Sequence, residues 1–413
     1  MFEYHTTVLP NGLRVVYRHN DSPVGYCGYM VDCGTRHEAS PTQFGMAHFI
    51  EHILFKGTRK RDAWHINQRM ESVGGELNAF TTKEDTTFYT SFLGKDFDRA
   101  CELLSDLVFH ATAPQHELEK EQEVVIEEIE SYRDNPAELI YDVFENRLFA
   151  GTSLGHNILG NAETVRSFDH DRCMAFLHEH YVPAQMVFFA YGPMPWEKVL
   201  RSVSKHAGNE GSSAVVTEAA APIGSTSVFP EEILPEEGEI RHQSHCMIGC
   251  KTYPYGHPDA TALSLLNNLL GGPGMNSRLN QQLREKRGLV YTVESNLSTY
   301  TDNGYFCIYF GCDHEDEDRC MRLCRKELQK MTEQPLSERQ LLAAKKQFKG
   351  QMGISTANLE NNALSMAKQI LRQGRVLSLD EVCRRIDAVS SQQLLHVARE
   401  LFAPDNLYSV VLK

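Results

Sequence analysis

The strongest constraint on the fold of this chain is that it repeats itself. Within its 413 residues, strand-like Val15-Val16-Tyr17 and Tyr26 to Val31 precede a helical stretch from Gly45 to Phe55. Gly74-Gly75-Glu76 and a β-rich run from Thr86 to Phe92 follow. The same order returns as Cys246 to Cys250, a helical Ala262 to Leu270, Arg287-Gly288-Leu289 and Gly304 to Phe310. Sliding one half by about 216 residues superposes the two patterns. Each copy then closes on a long amphipathic helical pattern, Leu118 to Tyr132 in the first and Leu336 to Met352 in the second. Strand runs with helices segregated to one side imply an α+β class: two homologous domains, each a largely antiparallel β-sheet packed against α-helices. The stretch least able to pack a core holds Gly208 to Ser213 and Ala219 to Ser225. The expected organisation is therefore a first domain at 1–205, a linker at 206–238 and a second domain at 239–413.

Composition removes several function classes. With 41% hydrophobic and 23% charged residues the chain can bury a large core. Its formal charge of −14, with basic residues scattered rather than striped, disfavours a nucleic-acid partner. Met1-Phe2-Glu3-Tyr4-His5 offers neither a basic nor an apolar leader segment, and no apolar run is long enough to span a bilayer. Export and membrane insertion are not expected. Eleven cysteines without CxxC pairs read as reduced thiols in a cytoplasmic protein.

Chemistry concentrates in one pattern, His48-Phe49-Ile50-Glu51-His52. On a helix, His48 and His52 sit at i and i+4 and project from one face, so both imidazoles can reach one metal ion. Glu51, one turn after His48, lies beside that ion, where it can take a proton from water rather than ligate. In the repeat register His48 falls opposite Ser264, Glu51 opposite Asn267 and His52 opposite Asn268, so only the first copy keeps the ionisable set. A tetrahedral catalytic metal wants a third protein ligand. The acidic helix Glu119 to Glu130 offers Glu121 and Glu128, two turns apart, bordering the stripe of Leu118, Val125 and Ile129 and expected to face inward with it. Spacing does not choose between them. Glu119, Glu123, Glu127 and Glu130 fall on other faces and read as solvated charge.

Taken together, HxxEH and the later Glu121-Gln122-Glu123-Val124-Val125-Ile126-Glu127-Glu128 resemble the pitrilysin and insulysin superfamily of zinc peptidases, the inverzincins. In size the chain is similar to the short two-domain type, like the mitochondrial processing peptidase beta subunit. The resemblance implies one Zn2+ per chain held by His48, His52 and Glu128, with Glu51 as general base and Glu121 as a carboxylate that orients the site. It also implies that Asn78, Ala79, Phe80 and Thr81 hold substrate backbone as an added strand. Arg284 and Tyr291 match the family's RxxxxxxY element, which reaches the zinc site from the opposite half of a clamshell and steadies the substrate carbonyl and oxyanion. Full-length relatives carry four such domains and this chain two. A homodimer whose active sites are completed in trans is the implied assembly. The expected substrates are peptides or unfolded and precursor polypeptides.

Rival readings are weaker. Gly151-Thr152-Ser153-Leu154-Gly155 fits GxSxG, but a helical run precedes it where a nucleophile elbow needs a strand. A noncatalytic assembly or chaperone-like subunit on the same fold is the alternative function, and retention of HxxEH argues against it. Gly271-Gly272-Pro273-Gly274 lacks the GK[ST] of a phosphate loop. His242, His245, Cys246 and Cys250 read as a buried strand rather than a second metal site, and His178-Glu179-His180 as solvated surface.

Overall fold

Helix α1 starts where glycine is required. In the computed structural model, which describes residues 4–209, 232–234 and 243–413, Gly45 adopts a φ of 95° at the helix N-terminus, and a Cβ there would stand 2.7 Å from the Leu159 carbonyl oxygen. Only glycine accepts both conditions without strain. From this point α1 (Met46–Leu54) buries Phe49, Ile50, Ile53 and Leu54. It is followed by α2 (Ala63–Glu71), α3 (Phe97–His110), α4 (Gln115–Arg133), α5 (Pro136–Leu148), α6 (Ala162–Arg166), α7 (His170–His180) and α8 (Trp196–Ala207). The second half carries α9 (Ala260–Gly271), α10 (Glu317–Glu333), α11 (Glu338–Ser355), α12 (Leu359–Gln373), α13 (Leu379–Ala388) and α14 (Ser391–Leu401).

The strands are β1 (Tyr4–Val8), β2 (Arg14–His19), β3 (Val24–Val31), β4 (Leu77–Thr81), β5 (Thr86–Leu93) and β6 (Met186–Gly192), then β7 (Glu232–Leu234), β8 (Ser244–Thr252), β9 (Val290–Thr299), β10 (Gly304–Cys312) and β11 (Tyr408–Leu412). One sheet runs β1-β2-β6-β3-β5-β4 and the other β7-β11-β8-β10-β9. Removing β1 leaves the same order in both. Among the described strands, each contains a single parallel pair, β2 with β6 and β7 with β11, and is otherwise antiparallel. The duplication and the α+β class expected from sequence are thus visible strand by strand. The run Cys246, Ile248, Cys250 forms a buried face of β8. His242 lies outside the described residues.

The chain divides into two compact units, and these are not contiguous in sequence. The first comprises the described parts of Met1–Ser131, Gly151–Ile223 and Thr356–Val376, and the second those of Tyr132–Ala150, Gly224–Ser355 and Leu377–Lys413. The expected domains 1–205 and 239–413 therefore each lend one helix to the other unit. Helix α12 lays Ala363, Met366, Ala367, Ile370 and Leu371 on Val16, Met30, Val187 and Phe189 of the first sheet. In the second unit, Phe144 of α5 meets Tyr305 and Tyr408, ring centroids 6.0 and 5.4 Å away. Amphipathic periodicity says that a helix buries one face, not which sheet receives it. Most of the expected linker at 206–238 lies outside the described residues. No helix among the described residues is long and apolar enough to cross a membrane.

Candidate metal centre

Packing turns α1 so that its polar residues leave the apolar core together. His48 and His52 have ring centroids 4.6 Å apart, the neighbourhood that i, i+4 spacing dictates. Glu128 of α4 meets them: His48 Nε2 lies 3.7 Å from Glu128 Oε1 and His52 Nε2 3.4 Å from Glu128 Oε2. The three donor atoms lie within 4.8 Å of one another. The two histidine–carboxylate separations, made to different oxygens of Glu128, are close to the ~3.4 Å edge of a tetrahedron whose metal–ligand bonds are about 2.1 Å. Two imidazoles and one carboxylate therefore supply three of the four donors that a tetrahedral divalent ion takes.

The two carboxylates that spacing left equivalent have different positions. Glu121 is 4% exposed and stands behind the imidazole, its Oε1 2.8 Å from His52 Nδ1 and its Oε2 2.7 Å from Lys56 Nζ. It thus fixes the His52 ring with Nε2 turned towards Glu128, the arrangement by which an outer carboxylate orients a metal-binding histidine. Glu128 has a 44% exposed side chain and sits at the rim, not on the inward face that the helical stripe implied. Glu119, Glu123, Glu127 and Glu130 are solvated as expected. His48 lacks such support: its Nδ1 is buried without a hydrogen-bond partner among the described residues. Burial and the neighbouring His52 push the His48 pKa down to about 4. Burial also disfavours charge on His52, but its hydrogen bonds to Glu121 and Glu128 outweigh this and lift it to about 9.

Glu51 is partly buried beside this group, and burial raises its carboxyl pKa although a hydrogen bond from Thr81 opposes the shift. Thr81 Oγ1 donates to Glu51 Oε2 at 2.6 Å. That contact was not legible in the sequence, where Thr81 counted only as part of a strand. Asn78, Ala79, Phe80 and Thr81 all belong to β4, the last strand of its sheet, paired through β5 with the register Asn78↔Tyr89 and Thr81↔Thr86. Lys56 also escaped the sequence reading. Its signal is its place one turn beyond His52 on the same face.

Arg284 and Tyr291 belong to the second unit. Arg284 sits in a π-helical turn, Asn280–Glu285, with its guanidinium carbon 5.9 Å from the centroid of the Tyr291 ring, while Tyr291 is 81% exposed. Arg284 also lines a cavity of about 510 Å³ with Ser264, Asn267, Asn268 and Ser295. This cavity is the repeat's copy of the metal cluster, with amides and a hydroxyl in place of imidazoles and carboxylate. Among the discounted segments, Gly151 to Gly155 follows α5 and runs through turns, so no strand leads into Ser153. His180, read from sequence as surface, is 5% exposed because it completes the inner face of α7 with Cys173, Phe176 and Leu177.

Comparison with known proteins agrees with this division of labour. The family model described as insulinase (peptidase family M16) matches residues 14–162, which contain every member of the cluster. The model described as peptidase M16 inactive domain matches residues 167–348, which contain Arg284, Tyr291 and the amide-lined cavity. An uncharacterized zinc protease of Bacillus subtilis (strain 168) is 32% identical over 97% of this chain and 96% of its own length. One from Streptomyces coelicolor is 33% identical over 98% and 88%. Among solved structures, a protease from Helicobacter pylori superposes with a TM-score of 0.89 at 21% identity, covering 100% of both chains. A Pseudomonas fluorescens protein described as a peptidase M16 inactive domain gives 0.89 at 18% identity, covering 99% of this chain and 97% of its own. The chain belongs to peptidase family M16, the insulinase family, as a short member with two domains.

Proposed function

We propose that this protein is a zinc-dependent endopeptidase that hydrolyses peptides or unfolded and precursor polypeptides within a clamshell chamber. The observation that carries the reading is the convergence of His48, His52 and Glu128 with Glu51 one turn away, its carboxylate held by Thr81. Zinc held by those three ligands would supply Lewis acidity, making water a stronger acid and the substrate carbonyl a better electrophile. Glu51 removes the proton of the attacking water. Because Thr81 occupies Oε2, Oε1 is the oxygen open to that proton, and the raised pKa lets the acid keep it until the amine departs. Glu51 then delivers it to the leaving nitrogen. Edge strand β4, at Asn78 to Thr81, holds an extended substrate by main-chain pairing, which reads backbone more than side chains.

Arg284 and Tyr291 steady the oxyanion in this proposal, a contribution on the order of 3 kcal/mol for one good donor. They come from a second copy of the chain, in a homodimer with shared sites. Mixing inactive Glu51→Gln chains with inactive Arg284→Ala chains should then restore part of the activity, and no recovery would mean that each chain works alone. A cytoplasmic location is part of the same reading, supported by eleven free cysteines.

The test of the function is zinc content together with cleavage of an unstructured fluorogenic peptide library, wild type against Glu51→Gln. Near one zinc per chain in both proteins, with cleavage lost only in the variant, is the expected result. Zinc without cleavage in the wild type favours the assembly or chaperone-like role.

A further inference from the structure

Helix α1 has no cap of its own. Gly45 at its N-terminus carries no side chain to receive the first N–H groups, which a helix leaves unpaired. The cap comes from Glu38, seven residues upstream. Its Oε2 accepts the Gly45 N–H at 3.1 Å and its Oε1 the Ala47 N–H at 2.9 Å. Ala47 immediately precedes His48, so these two bonds hold the turn that carries the first metal donor.

Glu38 is itself held from the other side. His156 Nε2 lies 2.9 Å from Glu38 Oε2 and 3.1 Å from the Thr35 carbonyl oxygen. Two acceptors within reach of one nitrogen mean that Nε2 carries the proton. The imidazole lies flat on Phe44, with centroids 3.8 Å apart and planes 7° from parallel. Glu38 and His156 are 6% and 7% exposed, so water does not compete for these bonds. The main-chain oxygen of His156 accepts the Lys83 ammonium, and Lys83 is 2% exposed. Lys83 follows by two residues Thr81, whose hydroxyl binds Glu51. A buried path therefore leaves α1 at its N-terminus, passes through Glu38, His156 and Lys83 to the β4–β5 turn, and returns to α1 through Thr81 and Glu51.

We propose that Glu38 and His156 are positioning residues of the metal centre: a buried carboxylate–imidazole pair that fixes the first turn of α1 and so the separation of His48 and His52 from Glu128. The inference rests on the reading of that cluster as a metal site. Neither residue touches the metal donors. Their effect is transmitted through two main-chain N–H groups, and a site loosened by a fraction of an ångström loses affinity although every ligand remains. Supporting groups of this kind are worth about 10- to 100-fold in metal affinity.

The test is metal affinity at 25 °C. Chelator-stripped protein is titrated with Co2+, followed by its visible absorption, and with Zn2+ in competition with a chromophoric chelator. Circular dichroism checks that each variant is folded. Glu38→Gln and His156→Leu are expected to weaken both metals by about 10-fold or more. His156→Gln, which keeps an N–H near the carboxylate, should recover most of the loss. Phe97→Leu serves as the structural control: it thins the packing on Phe92, whose ring is 5.6 Å away, and should lower the melting temperature while leaving affinity unchanged. If His156→Leu does not fold, Phe44→Leu, which only unstacks the ring, is read in its place with the same expected direction. Unchanged affinity in the folded pair variants overturns the positioning role. A wild type that takes up neither metal overturns the metal-centre reading itself.

Discussion

The two copies of the repeat share a scaffold and differ in one strip of side chains. In the first, α1 places Phe49, Ile50 and Leu54 in the core, and in the second α9 places Leu265, Leu266 and Leu270 at the matching positions, all of them 0% exposed. Each helix packs beside the last strand of its sheet, β4 or β9. On the other face, His48, Glu51 and His52 stand where the second copy has Ser264, Asn267 and Asn268. Helix α11, the counterpart of α4, has no carboxylate after Glu338. The apolar face forms the fold and the polar face the candidate metal site, so one can be exchanged without the other.

The most severe test of that separation converts the first copy into the second. The triple variant His48→Ser, Glu51→Asn, His52→Asn should lose all metal binding and cleavage. Its melting temperature should stay within roughly 5 °C of the metal-free wild type, since the buried apolar face is untouched. Metal analysis and calorimetry check both halves of the statement. A chain that no longer folds would show that the imidazoles are part of the packing.

The exchanged helices differ in how they are held. Arg372 of α12, with a 5% exposed side chain, lies 2.5 Å from Asp32 and 2.9 Å from Asp85. It also faces Glu84, which pairs with the buried Arg36. Arg372→Met leaves Asp85, at 1% exposure, with Lys368 at 3.5 Å as its remaining cation among the described residues. Removing one partner of a buried ion pair costs about 3–5 kcal/mol. The low end is expected here because Lys368 remains, and denaturant unfolding measures it. A loss under 1 kcal/mol would mean that the apolar face of α12 alone holds it in place.

Most of the scaffold and half of the site were legible in the sequence, for identifiable reasons. The imidazole pair follows from i, i+4 spacing within one helix, and strands such as β3, β5, β8 and β10 from apolar runs bounded by turns. What spacing and periodicity left open were decisions that depend on a second element. Glu121 and Glu128 share a face of α4, and only the placement of α4 against α1 sends one behind His52 and the other to the open side. Helix α12 and its counterpart α5 are amphipathic, but the pattern carries no address for the receiving sheet. Glu38 and His156 lie 118 positions apart and belong to no motif. The clue to them is a helix carrying the metal-cluster histidines that begins on glycine and so needs a cap from elsewhere.

His180 sharpens the comparison at the level of a single position. Helix α7 buries Cys173, Phe176, Leu177 and His180, and α14 buries Leu394, Val397, Ala398 and Leu401 at the same intervals. The first copy thus ends its apolar stripe on an imidazole where the second has leucine. Burial, with His37 nearby, pushes the His180 pKa down to about 4. The folded state therefore binds fewer protons than the unfolded chain, whose histidines titrate near 6.5. The stability contribution is complete above pH 6.5 and is lost as pH falls towards 4, about 2 kcal/mol between pH 7 and pH 5. His180→Leu should flatten this slope, leaving the share of His37, which burial also lowers. Denaturant unfolding at the two pH values reads the difference. An unchanged slope would mean that His180 is hydrated in solution and that the two helices are not packed alike.

The smallest expected effect is at α5, the counterpart of α12. Tyr141 donates its hydroxyl to Glu294 Oε1 at 2.6 Å, and Asn296 Nδ2 donates to both Tyr141 Oη at 3.2 Å and Glu294 Oε1 at 3.0 Å. Tyr141→Phe deletes one donor but leaves Glu294 bound to Asn296. Glu294 is only partly buried, so water can take the vacated place, and the cost should be about 1 kcal/mol. The contrast with Arg372→Met is the informative quantity. Both substitutions remove a polar anchor from an exchanged helix, but one strands a carboxylate in the core and the other exposes one to solvent. If denaturant unfolding gives equal losses for the two, desolvated charge is not what distinguishes them, and the buried ion pairs of the first unit contribute no more than ordinary hydrogen bonds.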